Sequence, residues 1–399
     1  MTNSLKITRK ITPRITICVL ANQLLSSDLA SGGDVLAFEV LRRFKDNITI
    51  VAPKTSYHRL RRIISRAKFI SSDDLRFNPQ PNFIGGIEIL FRYFLRSFAA
   101  SRLIIKNRKF QVLYLTGDFI CNSIPAAIYK LIYPKAIVIS NFYHLNPSPW
   151  KRENRFLFSL ASFLLQRFSL FLIRKISNHV FVLSSEGRNA LIALGFNPGI
   201  ITISGAGVTT RNIKIVDITR KYDLLFVGRL NLTKGIYDAI KILEKVKNSH
   251  PNVKMAVVGS CSTNEMKTIK RQLEQYRLNK NFDYLGFVND INKNKLMGVT
   301  PILVAPSHEE GFGMGILEGI ANGMKVVAYD LPVYKTIFNK YNKRIKYAPL
   351  GNADEMARII SGLLEDKIIS NTTLKVPTWE GVAKLQEDVI LRQLNRIEK

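Results

Sequence analysis

The amino-acid sequence predicts an α/β protein with two doubly wound, Rossmann-like domains. Short apolar runs alternate with longer helical patterns along the whole chain, and this alternation favours parallel sheets joined by crossover helices. The length of 399 residues fits about two domains. Hydrophobic residues make up 46% of the chain, so each domain has enough apolar side chains to bury a core.

Two series of apolar runs are the predicted strands. They are residues 15–20, 48–52, 112–115, 137–140 and 180–183 in the first half, and 223–227, 254–258, 282–284, 301–304 and 326–329 in the second. A polar, glycine-containing stretch at residues 205–219 separates the two series. We therefore predict an N-terminal domain over residues 1–210, a C-terminal domain over 211–378 and a final helix over 379–399.

The chain is strongly basic, with 59 Lys and Arg against 30 Asp and Glu and a formal net charge of +29. Residues 1–200 carry 29 basic and 10 acidic side chains, a net charge of +19. The high apolar content excludes a disordered polycation. A basic surface needs an anionic partner, and charge alone leaves nucleic acid, an acidic lipid leaflet and a phosphorylated small molecule open.

Three segments of the first half have unusual surfaces. In residues 92–109, a basic arc lies opposite an apolar one, which is typical of a helix at a membrane surface. The basic arc is Arg92, Arg96, Arg102, Lys106 and Lys109, and the apolar arc includes Tyr93, Phe94, Phe98, Ile104 and Ile105. Residues 59–68 resemble this basic helix, with a second basic cluster around Ile63 and Ile64, namely Arg59, Arg61, Arg62, Arg66 and Lys68. Ordinary surface helices of a basic protein are the alternative.

The third segment, residues 156–173, consists mostly of Phe and Leu. Gln166 and Arg167 near its centre argue against a membrane span. Its polar side chains form one narrow helical stripe, namely Arg155, Ser159, Ser162, Gln166 and Ser169. We expect the remaining apolar surface to be buried partly in its own domain and partly against a partner or lipid.

The most informative segment follows the predicted strand at residues 301–304. It reads Ser307-His-Glu-Glu310-Gly-Phe-Gly-Met-Gly-Ile-Leu-Glu318, a glycine-rich turn that enters a helix. Free backbone N–H groups at a helix N-terminus suit an anionic or hydroxyl-rich ligand. Glu310 lies in the turn and Glu318 about two turns into the helix. Both carboxylates can therefore face one ligand.

Two cations, Arg229 and Lys234, flank the first crossover of the second domain. Together they can neutralise an anionic ligand that carries about two negative charges. The sequence contains no Asp-x-Asp and no clustered His or Cys, so no metal site and no cofactor are predicted. The three cysteines, Cys18, Cys121 and Cys261, are too widely spaced for a disulfide framework, which is typical of a reducing compartment.

The pattern E-G-F-G-x-x-x-x-E at residues 310–318 resembles the donor-sugar motif of family-4 retaining glycosyltransferases with the GT-B fold. Other family elements follow in order. Phe226-Val-Gly228-Arg229-Leu and Lys234-Gly235 resemble the G-R-L…K-G element, Leu285-Gly-Phe287-Val288 the nucleotide-base loop, Ser31-Gly-Gly33 the N-domain glycine loop, and Thr378-Trp-Glu380 the start of the final helix. One departure is Gly205-Ala-Gly-Val-Thr209, where the family has Asn-Gly-Val-Asp.

This resemblance implies two Rossmann-like domains facing across a cleft, with the C-terminal helix crossing back to the N-terminal domain. It implies a hexosyltransferase that retains configuration, with Glu310 on the transferred sugar and Glu318 on the ribose. The implied catalytic residues are Glu310, His144, Arg229 and Lys234. The implied donor-binding residues are Gly33, Gly228, Arg229, Lys234, Phe287, Val288, Glu310, Gly311, Phe312, Gly313, Met314 and Glu318. For His144, a structural role is equally open.

The basic, aromatic-rich N-terminal half favours a lipid-linked or polysaccharide-precursor acceptor. We therefore expect a cytoplasmic protein, peripheral on the inner face of a membrane, with a nucleotide sugar as its donor. Two alternatives remain. The same fold could modify nucleic acid, with the basic domain on the phosphates, or the protein could bind nucleotide sugars without catalysis.

Overall fold

The computed structural model describes residues 15–24, 32–73, 83–107, 109–146, 148, 150, 156–209, 221–366 and 374–397. The chain divides into two compact units. The first comprises Met1–Val182, Ala190–Thr202 and Ala383–Lys399, and the second Leu183–Asn189 and Ile203–Val382. The prediction had put the first domain boundary at residue 210. Most of the final helix therefore belongs to the first unit.

The first unit contains a seven-stranded sheet with strand order β3-β2-β1-β4-β5-β6-β7. The strands are β1 (Thr16–Leu20), β2 (Asn47–Ala52), β3 (Lys68–Ser71), β4 (Val112–Leu115), β5 (Ile137–Phe142), β6 (His179–Val182) and β7 (Ile201–Ile203). The helices are α1 (Gly32–Leu41), α2 (Tyr57–Ile63), α3 (Phe83–Asn107), α4 (Ile120–Ile132) and α5 (Phe156–Ile176). Two further helices, α6 (Ser185–Ala193) and α13 (Trp379–Ile397), contribute residues to both units.

The second unit contains a six-stranded sheet with strand order β10-β9-β8-β11-β12-β13. The strands are β8 (Leu224–Val227), β9 (Met255–Val258), β10 (Phe282–Gly286), β11 (Ile302–Ala305), β12 (Lys325–Tyr329) and β13 (Ile345–Ala348). The helices are α7 (Ile236–Ser249), α8 (Thr263–Gln275), α9 (Asp290–Val299), α10 (Met314–Ala321), α11 (Pro332–Phe338) and α12 (Ala353–Glu365). The predicted pair of Rossmann-like parallel sheets is thus confirmed.

The central strands form where the sequence is continuously apolar. β4 is buried at all four positions, as is β9, because helices cover both faces of a parallel sheet. Local capping places several helix starts. Ser262 and Glu265 form a reciprocal capping box at α8, and the side chain of Asn289 accepts the backbone N–H of Asn292 at the start of α9.

Every predicted run forms a strand, but β3, β7 and β13 were not predicted. All three lie at sheet edges. Edge strands are short and less apolar because one side lacks a neighbouring strand. Residues 59–68 were expected to behave as one basic helix; instead α2 ends at Ile63 and Lys68 begins β3.

Helix α3 orients its side chains differently from the predicted arcs. Arg96 is fully buried, and its Nη1 donates to the carbonyl oxygens of Asn22 at 2.9 Å and Leu24 at 2.8 Å. Its Nε donates to Asp73 at 3.1 Å. These acceptors offset the cost of burying the guanidinium. The prediction that Arg96 lies on a free basic surface was wrong, and Lys109 lies beyond the helix end at Asn107.

Helix α5 turns its polar stripe towards the interior of the first unit. Ser159 and Ser169 are buried, and the hydroxyl of Ser169 bonds that of Ser123 at 2.8 Å. The exposed side chains of this helix include Leu164 and Phe168. Within the described part of the chain, none of the helices combines the length and the apolar character that a membrane crossing needs.

Candidate functional site

Two loops meet at the carboxyl ends of the paired strands β8 and β11. One loop runs from residue 228 to Gly235 and the other from Pro306 to residue 313. Gly235 has φ +72°, and a Cβ there would lie 1.8 Å from the carbonyl oxygen of Pro306. The backbone N–H of His308 donates to the carbonyl of Thr233 at 2.9 Å. Only glycine allows this approach of the two loop backbones.

Lys234 and Glu310 form an ion pair where the two loops meet. The Lys234 ammonium donates to Oε1 of Glu310, and the hydroxyl of Ser307 bonds the same oxygen at 3.3 Å. The two side chains are 22% and 16% exposed. A small pocket beside them is also lined by Gly313, Gly315 and Tyr334. The predicted cation and carboxylate are therefore brought together at this pocket.

The glycine-rich turn positions the N-terminus of α10 against this pocket. Gly313 has φ +94°, and a Cβ there would lie 2.7 Å from the ring of Tyr334. Phe312 is buried edge-to-face against Phe338, with ring centroids 5.9 Å apart. Gly311 and Met314 are partly exposed on either side. The first amides of α10 have no acceptor within the helix and suit an anion.

Arg229 lies in the same loop as Lys234 and its side chain is exposed. Gly228 before it donates its backbone N–H to Val258 at 3.0 Å. A Cβ on Gly259 would lie 1.7 Å from the carbonyl oxygen of Gly228. The backbone is thus held tightly beneath Arg229. The guanidinium itself points into solvent, where it is available to an anionic ligand.

Glu318 lies on α10 and is paired with Lys293 of α9 at 2.8 Å. Lys293 also contacts Asp290 at 3.0 Å. Burial alone lowers the pKa of Lys293, but the carboxylates of Glu318 and Asp290 outweigh it and raise the pKa overall. The ammonium is therefore fixed in its charged form. Sequence reasoning missed Lys293, although its place shortly after the predicted base loop was a usable signal.

The predicted base loop follows β10. Phe287 is 82% exposed, and Val288 is partly buried. Gly286 has φ +68°, and its carbonyl accepts the N–H of Gly259 at 2.9 Å. The loop therefore presents its backbone and the Phe287 ring at the carboxyl end of the sheet.

A second pair holds the loop from Pro306 to residue 313 against α7. His308 Nε2 lies 2.7 Å from Oδ2 of Asp238, and the hydroxyl of Tyr329 donates to the same oxygen at 2.9 Å. Burial, followed by the negative charge of Asp238, raises the pKa of Tyr329. Sequence reasoning missed Asp238. The contacts of His308 and Asp238 stabilise the loop rather than line the pocket.

The remaining predicted residues lie in the first unit. A Cβ on Gly33 would lie 2.6 Å from the ring of Tyr143, so this glycine packs under an aromatic ring. His144 follows β5 and is exposed. The side-chain amide of Gln166 donates to the His144 carbonyl at 2.9 Å and to Asp118 at 2.7 Å. Gln166 thus fixes the loop that carries His144.

Asp118 and Gln166 were not predicted to act near His144. Asp118 lies three residues after the end of β4, in Thr116-Gly117-Asp118, and such a polar segment after a buried strand is a usable signal. Burial raises the pKa of the Asp118 carboxyl, although the hydrogen bond from Gln166 opposes the shift. A carboxyl group with a raised pKa lies next to an exposed histidine.

Neutral side chains dominate the rest of the carboxyl end of the first sheet. The amide nitrogen of Gln23 donates to Asp34 and to the hydroxyl of Thr116, each at 2.9 Å. Its oxygen accepts from Asn122 at 2.8 Å, and Asn122 in turn accepts the N–H of Asn22 at 2.9 Å. Among the described residues, no three His, Cys, Asp or Glu side chains converge as a metal site.

Residues 209–375 match the family of glycosyl transferases group 1. The predicted resemblance is therefore confirmed for the second unit, which carries Arg229, Lys234, Glu310 and Glu318. A glycogen synthase of Mycobacterium tuberculosis is 27% identical over 152 residues, which cover 37% of this chain and 36% of that protein. A phosphatidyl-myo-inositol mannosyltransferase of Mycolicibacterium smegmatis is 29% identical over 145 residues, which cover 36% of each protein. The chain thus matches little more than a third of the length of these relatives.

The solved structure of Anabaena HepE in complex with UDP and glucose resembles this chain as a whole. The TM-score is 0.67 at 16% sequence identity, and the match covers 96% of this chain and 98% of that structure. The predicted GT-B fold is confirmed by this likeness.

Proposed function

We propose that the protein is a glycosyltransferase that moves a hexose from a nucleotide-diphosphate sugar to a lipid-linked or glycan-precursor acceptor at a membrane surface. The observation that carries the proposal is the Lys234–Glu310 pair beside the N-terminus of α10. The family match over residues 209–375 and the names of the relatives support a transferase. A UDP complex of a protein with this fold supports a nucleotide donor.

The site suggests how the donor is held. Lys234 exchanges Glu310 for the donor diphosphate, and the exposed Arg229 adds a second cation. Glu310, once released, accepts hydroxyl groups of the sugar. The amides at the start of α10 stabilise charge that develops on the departing diphosphate, which is commonly a large contribution to catalysis. Two cations and these amides supply the charge for which other enzymes use a metal ion.

We assign retention of configuration to the reaction, with the leaving phosphate assisting the acceptor on the same face of the sugar. No protein nucleophile is required in such a reaction. We place the acceptor in the first unit, where His144 is exposed at the end of β5. Gln166 orients the His144 loop through its carbonyl.

The membrane acceptor rests on charge and apolar surface. Each Lys or Arg near an anionic leaflet contributes on the order of 1 kcal/mol, and residues 1–200 carry a net charge of +19. The name of the mannosyltransferase relative includes phosphatidyl-myo-inositol, which is a lipid. A nucleic-acid acceptor uses the same charge but has no need of exposed phenylalanines.

The test is a donor screen with the purified chain and a membrane lipid extract, read out as released nucleotide and as labelled lipid product. We expect transfer from one donor class, unchanged by EDTA, and an anomeric configuration equal to that of the donor. Glu310→Ala is the diagnostic variant, with Glu309→Ala as its neighbouring control.

Full turnover and unchanged donor affinity in Glu310→Ala would contradict the assignment of this residue. Donor binding with neither hydrolysis nor transfer would identify a non-enzymatic binding protein. Transfer to duplex DNA instead of lipid would replace the acceptor class but keep the donor site.

A further inference from the structure

We propose that the outer faces of α3 and α5 form one docking surface for an anionic lipid leaflet. The proposal rests on the membrane acceptor proposed above and identifies the surface that reaches it. On α3, Phe91 and Phe98 are each 62% exposed. Ile87, Phe94 and Leu95 are 44–50% exposed on the same stripe. Positions three, four and seven apart share one helix face, so these side chains form a continuous apolar ridge.

Helix α5 repeats this arrangement. Leu164, Phe168 and Phe171 are 56%, 49% and 50% exposed, at spacings of four and three residues. Helix α4 packs against both helices, and α3 also contacts α5, so the two ridges lie on the same side of the sheet.

The inward faces of both helices mix apolar and polar side chains, with Ala100 and Ile104 buried on α3 and Leu170 and Ile173 buried on α5. The inward face of α3 also carries Arg96 and Ser97, and the inward face of α5 also carries Ser159 and Ser169; all four are buried. An ordinary surface helix places apolar residues inward and polar residues outward. The outward apolar ridges are therefore not explained by packing within the first unit.

The charge of this face selects its partner. Apart from the buried Arg96, helices α3, α4 and α5 contain seven Lys and Arg residues but a single acidic residue, Glu88. The α3 ridge continues into the exposed Arg102 and Lys106, and the α5 ridge into the exposed Lys175. Exposed aromatic side chains next to cations match an anionic leaflet, where the rings enter the acyl boundary and the cations meet the headgroups.

Other partners fit this face less well. A second copy of the chain would bring two strongly basic faces together, and like charges disfavour such an interface. A nucleic acid would satisfy the cations but leave the phenylalanines in water. An anionic leaflet satisfies both the apolar and the basic groups.

The experiment measures co-sedimentation with phosphatidylcholine vesicles, with and without phosphatidylglycerol, at low and physiological salt. The diagnostic variant is Phe91→Glu combined with Phe98→Glu. Leu350→Glu, at a leucine of the second unit that is 53% exposed, is the matched control. We expect salt-sensitive binding to the anionic vesicles alone, a loss of about tenfold or more in the double variant, and no loss in the control.

Equal vesicle binding by the wild type and the double variant overturns the proposal, as does an absence of vesicle binding. A dimer that the double variant disrupts, or duplex DNA binding that it weakens, also overturns it. Donor hydrolysis without vesicles is measured in parallel. Vesicle binding without any hydrolysis contradicts the proposed enzyme but leaves the docking surface intact.

A second inference comes independently from Lys293. We infer that Lys293 is a positioning residue that holds Glu318 in place for the donor ribose, and this inference rests on the proposed donor site. Lys293 contacts Glu318 at 2.8 Å from the neighbouring helix α9. The side chains are 17% and 20% exposed, so water competes weakly for the contact.

The second contact of Lys293, with Asp290 at 3.0 Å, explains why its ammonium is well placed. Asp290 is in the first turn of α9, one turn before Lys293, so the helix itself sets the position of the ammonium. A carboxylate has about four acceptor sites on two oxygens. Glu318 can therefore keep Lys293 on Oε1 while it accepts both ribose hydroxyls.

The experiment compares the diphosphates of uridine, guanosine and adenosine with their 2′-deoxy counterparts, by calorimetric binding. The variants are Lys293→Met, Lys293→Arg and, as a control at an exposed lysine of the same helix, Lys295→Met. We expect the wild type to prefer the ribose form about tenfold or more. Lys293→Met should lose most of that preference, Lys293→Arg should restore part of it, and the control should behave as wild type.

An unchanged ribose preference in Lys293→Met overturns the inference, because a purely structural role predicts equal weakening for ribose and deoxyribose. A wild type that binds none of the six nucleotides contradicts the proposed donor site itself. The two failures are therefore distinguishable.

Discussion

The carboxyl ends of the two sheets are built from different chemistry, although both units share a parallel topology. In the second unit, partly exposed ion pairs dominate, as in Lys234–Glu310 and Lys293–Glu318. In the first unit, buried amides and hydroxyls dominate, centred on Gln23. The partners of Gln23 are the side chains of Asp34, Thr116 and Asn122.

This difference suits the second unit to ligand binding and makes the corresponding part of the first unit rigid. A partly exposed ion pair can exchange its anion for an anionic ligand at little cost, since the cation keeps an opposite charge. A buried amide network has no such freedom, because any lost partner leaves a polar group without water. We therefore expect the side chains at the carboxyl end of the second sheet to govern donor turnover and those at the carboxyl end of the first sheet to govern stability.

The largest effect is expected for Gly235→Ala, which tests the contact between the two loop backbones at the carboxyl end of the second sheet. The new Cβ would lie 1.8 Å from the Pro306 carbonyl oxygen, so both loops must move. We expect a loss of about 4 kcal/mol or more in unfolding free energy, measured by urea denaturation. Gly351→Ala is the control, since its φ of +78° is similar but nothing lies within 4 Å. It should lose only about 1 kcal/mol.

The next effect is expected for Lys234→Ala, which tests whether the ion pairs serve turnover. Removing this cation should lower kcat/KM for the donor about 10²–10³-fold, measured by nucleotide release. Stability should change little, because the site is partly exposed. Lys241→Ala, at an exposed lysine of α7, is the matched control. Equal activity in the two variants would break the proposed division of roles.

A smaller effect is expected for Gln23→Leu, which tests the network of buried amides and hydroxyls at the carboxyl end of the first sheet. The substitution removes the Gln23 amide, so the side chains of Asp34, Thr116 and Asn122 each lose one hydrogen bond. We expect a loss of about 2 kcal/mol in unfolding free energy, with donor hydrolysis by the folded protein close to normal. The control is Gln275→Leu at an exposed position of α8. A stable variant with abolished hydrolysis would contradict the roles assigned to the carboxyl ends of the two sheets.

The smallest effect concerns Asp118, the carboxyl group whose pKa is raised by burial. A raised pKa means that the folded state binds the proton more tightly than the unfolded state. The contribution of Asp118 to stability therefore falls as pH rises from the ordinary value of 3.8 through the raised value. Asp118→Asn should flatten this decline in urea unfolding, whereas Asp366→Asn, at an exposed carboxyl, should not. A parallel pH dependence in both variants would assign the decline to other groups.

Much of the second unit could be predicted from its sequence because its functional elements are local. Residues 307–318 contain strand end, turn and helix start in one contiguous segment, so glycine spacing and the two glutamates predict their placement. The partner of Glu318 could not be predicted in the same way. Lys293 lies 25 residues away and reaches Glu318 only because α9 packs beside α10.

The first unit was less predictable because its contacts join distant segments. Gln23 and Asn122 are 99 residues apart, and their pairing follows from the adjacency of β1 and β4. The stripe on α5 was visible in the sequence, but its orientation towards Asp118 and the His144 loop was not. Helical periodicity shows that a stripe exists, whereas packing decides which way it faces.

By itself, the sequence determined the alternation of strands and helices, the donor motif and the excess of positive charge. These properties depend on residues close together in the chain or on simple composition. Only the tertiary structure decided that Arg96 is buried, that the phenylalanines of α3 and α5 face outward and that Lys293 holds Glu318. Each of these depends on which elements become neighbours, and strand order fixes that only when the whole chain folds.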